Sequence, residues 1–487
     1  MRVVLAVASI LVLLGACSRD AEPGGQDDDA GNPPRADSGT QAGEDAGGDA
    51  RVVDAGPTAQ QLAQAAELAA VIAYLRANTA YPYPLDYAAI VATGQSAILY
   101  GNGTDATYQR ALYGAVMAIP QGHQGFGVPG HCGMDVPFQT ATRRGVCGRP
   151  HPRGIIVTLA EEGNPLGLQA GDLVTGLAGS ESLHAALFAR PMCGVSMPSE
   201  ASAQGMVAAT FGDLVETGET LTVESSNGRA RDVVVGPMPD GPFLLCGDPF
   251  GRPVAKAAYA ELRDDGVAVI RLPSFMDPEQ TFPENPTEEQ FMAYRAAFQA
   301  KIQAVFDSVK SASKLVWDLR GNGGGLTQVG LDIASGFPGA ARNPVSYCTI
   351  RQPNSDPPTF TTQHVATYAL EPGGPFAYPG KVAVLIDELD YSAADYFPLV
   401  VKERTDAILV GAKTSGAFGA TSGDRAFAGP PATQVYFDGY RCVRADDDTP
   451  LETKSTEPHV PVAYDPVDLS AGRDTVLEAA VAALSVP

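Results

Sequence analysis

The chain has 487 residues, room for about two to four domains. Its hydrophobic content of 45% supports packed cores over most of the length. The net charge of −23 excludes the basic patches that nucleic-acid binding needs, so no nucleic-acid partner is expected.

Residues 1–17 hold Arg2, an apolar run Val3–Leu14, and then Gly15-Ala16-Cys17. The run is too short for a permanent membrane span and reads as a secretory signal. Its end resembles a bacterial lipobox. That resemblance implies a signal peptide over 1–16, a lipid on Cys17, and a membrane contact through that lipid. Ser18 after the cysteine implies the periplasmic face of an outer membrane. Residues 17–57 carry ten acidic and three basic residues and almost no large apolar ones. Such a stretch cannot bury surface, so a disordered tether is expected. Much of the charge is therefore tether and says little about substrate.

Six further cysteines follow: Cys132, Cys147, Cys193, Cys246, Cys348 and Cys442. An even number in an exported chain predicts disulfides. Pairing sequence neighbours gives Cys132–Cys147, Cys193–Cys246 and Cys348–Cys442. No CxxC and no Cys/His cluster has zinc spacing, so neither metal nor cofactor is expected.

Residues 58–126 read as an N-terminal helical cap, with apolar faces from Leu62 and from Tyr108 to Ile119. The cap ends in Gln121-Gly122-His123-Gln124-Gly125-Phe126, which sets a histidine in a Gly-flanked loop. Residues 127–240 read as a β-rich module, with strands at Gly154–Leu159, Leu173–Leu177, Leu221–Val223 and Asp232–Val235 and an Asn227-Gly228 hairpin signal. Its run NPLGLQAGDLVTGLAG resembles the core of a PDZ domain. Such domains take a peptide as an added strand and hold its terminal carboxylate in a backbone nest. The Cys132–Cys147 insert departs from that pattern.

Residues 241–487 alternate strands and helices, which predicts an α/β core with a largely parallel sheet. Sites in such sheets form at the carboxyl ends of strands. Two stretches sit there. Lys314–Leu319 runs into Arg320-Gly321-Asn322-Gly323-Gly324-Gly325, a loop whose glycines allow close backbone approach. It fits no nucleotide motif; an oxyanion hole is the better use, with amides from Gly323 or Gly324 and from Ala393. Val382–Ile386 runs through a polar turn to Ser392, after which helical spacing begins. Ser392 is then a helix cap or a nucleophile.

DLRGNGGG, the strand with YSAAD, ILVGAKTSG and LETKSTEPHVPVAYDPVDLSAGRDTVLEAAVAAL occur in that order. Together they resemble the carboxyl-terminal processing (tail-specific) serine peptidases and their tricorn-core relatives. The resemblance implies a ClpP/crotonase-like α/β core, Ser392 as nucleophile and a protein or peptide substrate. Ala417 stands where one branch of the family has its catalytic lysine, which points to the histidine-using branch. His123 is then the general base and Glu452 the acid that orients it, with His459 as rival base. Asp395, Ser455 and His459 depart from the family pattern, and Pro398 falls inside the helix after Ser392. The reading is an envelope-anchored serine endopeptidase acting through an acyl-enzyme. Its alternative is a catalytically inactive peptide- or ligand-binding lipoprotein on the same fold.

Overall fold

The computed structural model describes residues 56–127, 141–190, 194–195, 197–239, 243–283, 286–429 and 432–486. The signal, Cys17 and most of the expected tether lie outside these, as do Cys132 and Cys193. Among the described residues no helix is long and apolar enough to cross a membrane.

The apolar runs of the C-terminal half form a six-stranded sheet. Its order is Tyr259–Leu262, Val267–Arg271, Lys314–Asp318, Lys381–Ile386, Ile408–Gly411, Val460–Pro461. The first pair is antiparallel and the others parallel. These strands are apolar without alternation because both faces are covered. Leu315, Trp317, Val382, Val384 and Ile386 pack with the helices Glu288–Val309, Thr327–Ala334 and Ala393–Arg404. Val316, Ala383 and Leu385 turn the other way, onto the helix Thr475–Ser485.

Three helices, Ala59–Asn78, Tyr87–Leu99 and Asp105–Met117, precede the His123 loop. The first is closed by a capping box between Thr58 and Gln61. After the loop, Gly125–Gly127 pairs antiparallel with Thr433–Asp438, far along the chain. That pairing carries the end of the helical segment to the C-terminal half.

Between them lies a five-stranded antiparallel sheet: Val146–His151, Gly154–Ala160, Leu173–Leu177, Thr220–Glu224 and Ala230–Val234. The helix Glu200–Leu214 packs on it through Val207, Ala208 and Phe211. A buried ion pair, Arg149 Nε to Asp387 Oδ2 at 2.9 Å, ties this sheet to the turn after Lys381–Ile386.

Two disulfides join described cysteines. Cys348–Cys442 is the pairing expected from the sequence. The other is Cys147–Cys246, which corrects both the Cys132–Cys147 and the Cys193–Cys246 expectations. The chain returns from the five-stranded sheet through Leu244–Leu245, which pairs with Ala141–Thr142. Cys246 thereby arrives 5.3 Å (Cα–Cα) from Cys147, so spatial neighbours, not sequence neighbours, are joined.

Candidate active site

Ser392 follows the strand Lys381–Ile386 and its turn, at the entry to Ala393–Arg404. Its backbone sits at φ 61°, ψ −118°, and its side chain makes no cap hydrogen bond. At the helix start the Ser392 carbonyl accepts from the Asp395 and Tyr396 amides. The cap reading therefore fails, and the hydroxyl is left uncommitted. Pro398 lies within the helix, which runs on to Arg404.

The turn is sewn to the glycine loop. Asp387 Oδ1 accepts from the Gly321 amide at 2.8 Å, and Asp390 Oδ1 from the Asn322 amide at 3.2 Å. The Tyr391 amide donates back to the Asn322 carbonyl. Gly324 is at φ 100°, and a Cβ there would stand 2.5 Å from the Tyr391 carbonyl and 2.7 Å from Ser392 Cβ. Only glycine permits that approach. The Gly324 amide itself donates to Asn322 Oδ1 at 2.8 Å. It is not an available oxyanion donor, which corrects that expectation. Gly323 and Ala393 remain: among the described residues neither amide has a partner in the chain.

His123 is held through its backbone, and its ring Nδ1 has no hydrogen-bond partner among the described residues. Its amide donates to the Tyr391 hydroxyl at 2.7 Å, and Thr421 Oγ1 donates to its carbonyl at 3.2 Å. Its Nδ1 lies 3.8 Å from Asp438 Oδ2. The imidazole is 13% exposed, and burial pulls it down to about 4, so the resting ring is neutral. Asp438 is fully buried, accepts from Gln121 Nε2 at 2.9 Å, and is pushed up to about 8 by that burial.

Glu452 does not bond the ring among the described residues. Its Oε1 accepts from the Gly122 amide at 2.5 Å and its Oε2 from the Phe418 amide at 2.9 Å. Burial first, and Asp438 second, hold its carboxyl well above the usual range. It therefore fixes the backbone beside His123, while the acid facing the imidazole is Asp438. That role was hidden in Phe437-Asp438-Gly439-Tyr440, where Asp-Gly reads as a hairpin turn. His459, the rival base, has its Nδ1 occupied by the Leu409 amide at 2.9 Å.

The residues near the lysine position agree. Ala417 is fully buried, and a Cβ on Gly122 would meet Ala417 Cβ at 2.8 Å. The His123 loop thus takes the room that a longer side chain at 417 would need. Lys413 pairs outward with Glu457 at 2.9 Å, and Lys402 donates to the Glu457 carbonyl. Asp395 is buried and accepts from the Gly416 and Ala417 amides at 2.8 and 2.9 Å.

An uncommitted serine on a strained strand-to-helix turn, with a glycine loop against it and a neutral histidine nearby, defines the constellation of a serine hydrolase. Residues 266–462 match the family model of peptidase family S41. The fold is similar to that of mature CPAF complexed with lactacystin, with TM-score 0.62, 15% identity and coverage of 88% of this chain and 98% of that one. A second structure of mature CPAF gives 0.60 at 15% identity, covering 88% and 97%. Two sequence relatives are a protein of Chlamydia trachomatis serovar D, 48% identical over 42 residues, and an uncharacterized protein of Chlamydia muridarum, 30% identical over 92. These stretches span 9% and 19% of this chain and only 7% and 15% of the relatives' length.

Proposed function

We propose that this chain is a serine endopeptidase of the histidine-using type, anchored to the cell envelope by a lipid on Cys17 at the periplasmic face of the outer membrane. The observation that carries the reading is Ser392: a nucleophile position with an uncapped hydroxyl, a strained backbone and the Tyr391–His123 hydrogen bond beside it.

In this reading His123 Nε2 takes the Ser392 proton as Oγ attacks the scissile carbonyl. The oxyanion that forms is met by the Gly323 and Ala393 amides. His123 then returns the proton to the leaving amine, and an acyl-enzyme remains on Ser392 until water, deprotonated by His123, releases it. Asp438 faces Nδ1 and stabilises the ring when it is charged. The five-stranded module, PDZ-like in sequence, packs beside the Ser392 turn and presents the substrate.

A fluorophosphonate probe with intact-mass detection, together with cleavage of a denatured protein substrate, tests this reading. Labelling and cleavage are expected in the parent protein. Each is expected to fall by about 10³-fold or more in Ser392→Ala and His123→Ala. Lys413→Ala is expected to stay within about twofold, because its head group faces solvent. Equal cleavage by Ser392→Ala would contradict Ser392 as nucleophile, and neither labelling nor cleavage in the parent protein would favour the binding-protein alternative.

A further inference from the structure

A cavity of about 530 Å³ lies between the five-stranded sheet and the strand ends of the core. That volume falls in the range of ligand sites. Ser392, His123 and the glycines of the loop after Lys314–Asp318 do not line it. One wall is Arg149–His151 with His184 and the helix start at Ala201 and Gln204; the other includes Ile386–Glu388 and Pro461–Tyr464.

Its ionisable side chains are paired with one exception among the acids. Arg149 is paired with Asp387, Arg320 with Asp318 and Asp474, and Lys413 with Glu457. Glu388 has no cation bonded to it among the described residues, and burial pushes its carboxyl up to about 8, with Asp387 adding and Arg149 opposing. His184 places Nε2 3.3 Å from the Gly154 carbonyl, while its Nδ1 is buried without a partner. With Nε2 donating, Nδ1 is an acceptor, and burial keeps the ring neutral. The wall thus offers one carboxyl that no cation meets, Glu388.

The ligand expected of a PDZ-like module, a terminal carboxylate, does not match acceptors. The opposite end of the strand Val146–His151 is also crowded. Cys147 is bonded there to Cys246, and a Cβ on Gly148 would stand 2.7 Å from the Ala208 carbonyl. We propose that the cavity takes a basic side chain of a peptide, a guanidinium or ammonium donating to Glu388. The inference rests on the peptidase reading only in making that peptide the substrate, held at a distance from Ser392.

The test uses the Ser392→Ala protein and calorimetry. It is titrated with N-acetyl-Ala-Arg-Ala-amide and with the same peptide carrying citrulline, which keeps the shape and loses the charge. The arginine peptide is expected to bind about tenfold tighter or more, as a charge-assisted hydrogen bond implies. Glu388→Gln is expected to bring the two within about twofold, since both then meet a neutral amide. Ala201→Phe, which fills the cavity and leaves Glu388 in place, is expected to weaken the arginine peptide about tenfold. Equal binding of the two peptides overturns the inference, as does tighter binding of N-acetyl-Ala-Ala-Ala with its free carboxylate. Unchanged affinity in Ala201→Phe overturns it as well. Turnover is read separately: absence of cleavage by the parent protein sinks the peptidase reading and leaves the binding result standing.

Discussion

Ser392 and His123 share an uncommon backbone state, φ 61° and φ 56°. A non-glycine residue held there costs about 1–3 kcal/mol and persists only where its surroundings over-determine it. Here the surroundings are the Asp387 and Asp390 carboxyls, the Asn322 loop and the Tyr391 hydroxyl. Tyr391 is the physical link between the two residues, since it precedes Ser392 and receives the His123 amide. The serine and the histidine could be singled out from the sequence, because each stands in a Gly-flanked or strand-to-helix setting of its own. The acid that faces the ring could not, because Asp438 comes near it only after the Gly125–Gly127 pairing brings two distant segments together. Asp438→Asn is therefore expected to lower kcat by about 10²-fold or more, and more than Glu452→Gln does. The pH profile gives a second check. His123 is neutral down to about pH 4, so the acid limb should lie well below that of an ordinary histidine. Asp438 ionises near pH 8, and its charge makes His123 a stronger base, so kcat/KM should climb through that range. In Asp438→Asn this second rise should be absent.

At the scale of elements, the parallel strands were legible because burial on both faces writes an unbroken apolar run. The disulfides were half legible. Cys348 and Cys442 sit opposite each other in one strand pair, whereas Cys147–Cys246 depends on the return path through Leu244–Leu245. The glycine loop was recognised, but its division of labour was not. Gly324 supplies closeness, and its amide is spent on Asn322, a residue the sequence reading passed over. Gly324→Ala should therefore force the loop away from the Ser392 turn, since a Cβ there meets backbone atoms that cannot yield. The expected cost is about 1–3 kcal/mol of stability by thermal or urea unfolding, with activity lost in protein that remains folded. A variant as active as the parent would show that the two loops tolerate separation.

For the whole molecule, the buried acids set a pH dependence of stability. Asp438 is raised to about 8 and Asp395 to about 7, both mainly by burial. The ordinary value is 3.8, so between 3.8 and these values the folded state binds more protons than the unfolded state. Stability from these groups is complete below the ordinary value and is lost as pH rises through about 7 to 8. Thermal unfolding at pH 6 and pH 9 should give the lower Tm at pH 9, and Asp438→Asn should reduce the difference. The Arg149–Asp387 pair acts at the same scale, because it ties the five-stranded sheet to the Ser392 turn. Arg149→Met should cost about 3–5 kcal/mol by leaving Asp387 buried without its cation. The central claim, that Ser392 is activated by His123 and not by a lysine, is tested most directly by a crystal structure of the phosphonylated protein. Phosphorus is expected on Ser392 Oγ, with one phosphonyl oxygen about 2.7–3.1 Å from the Gly323 and Ala393 amides. His123 Nε2 is expected within hydrogen-bond reach of Oγ. An adduct on another residue, or a lysine nitrogen in the place of the imidazole, would contradict that claim.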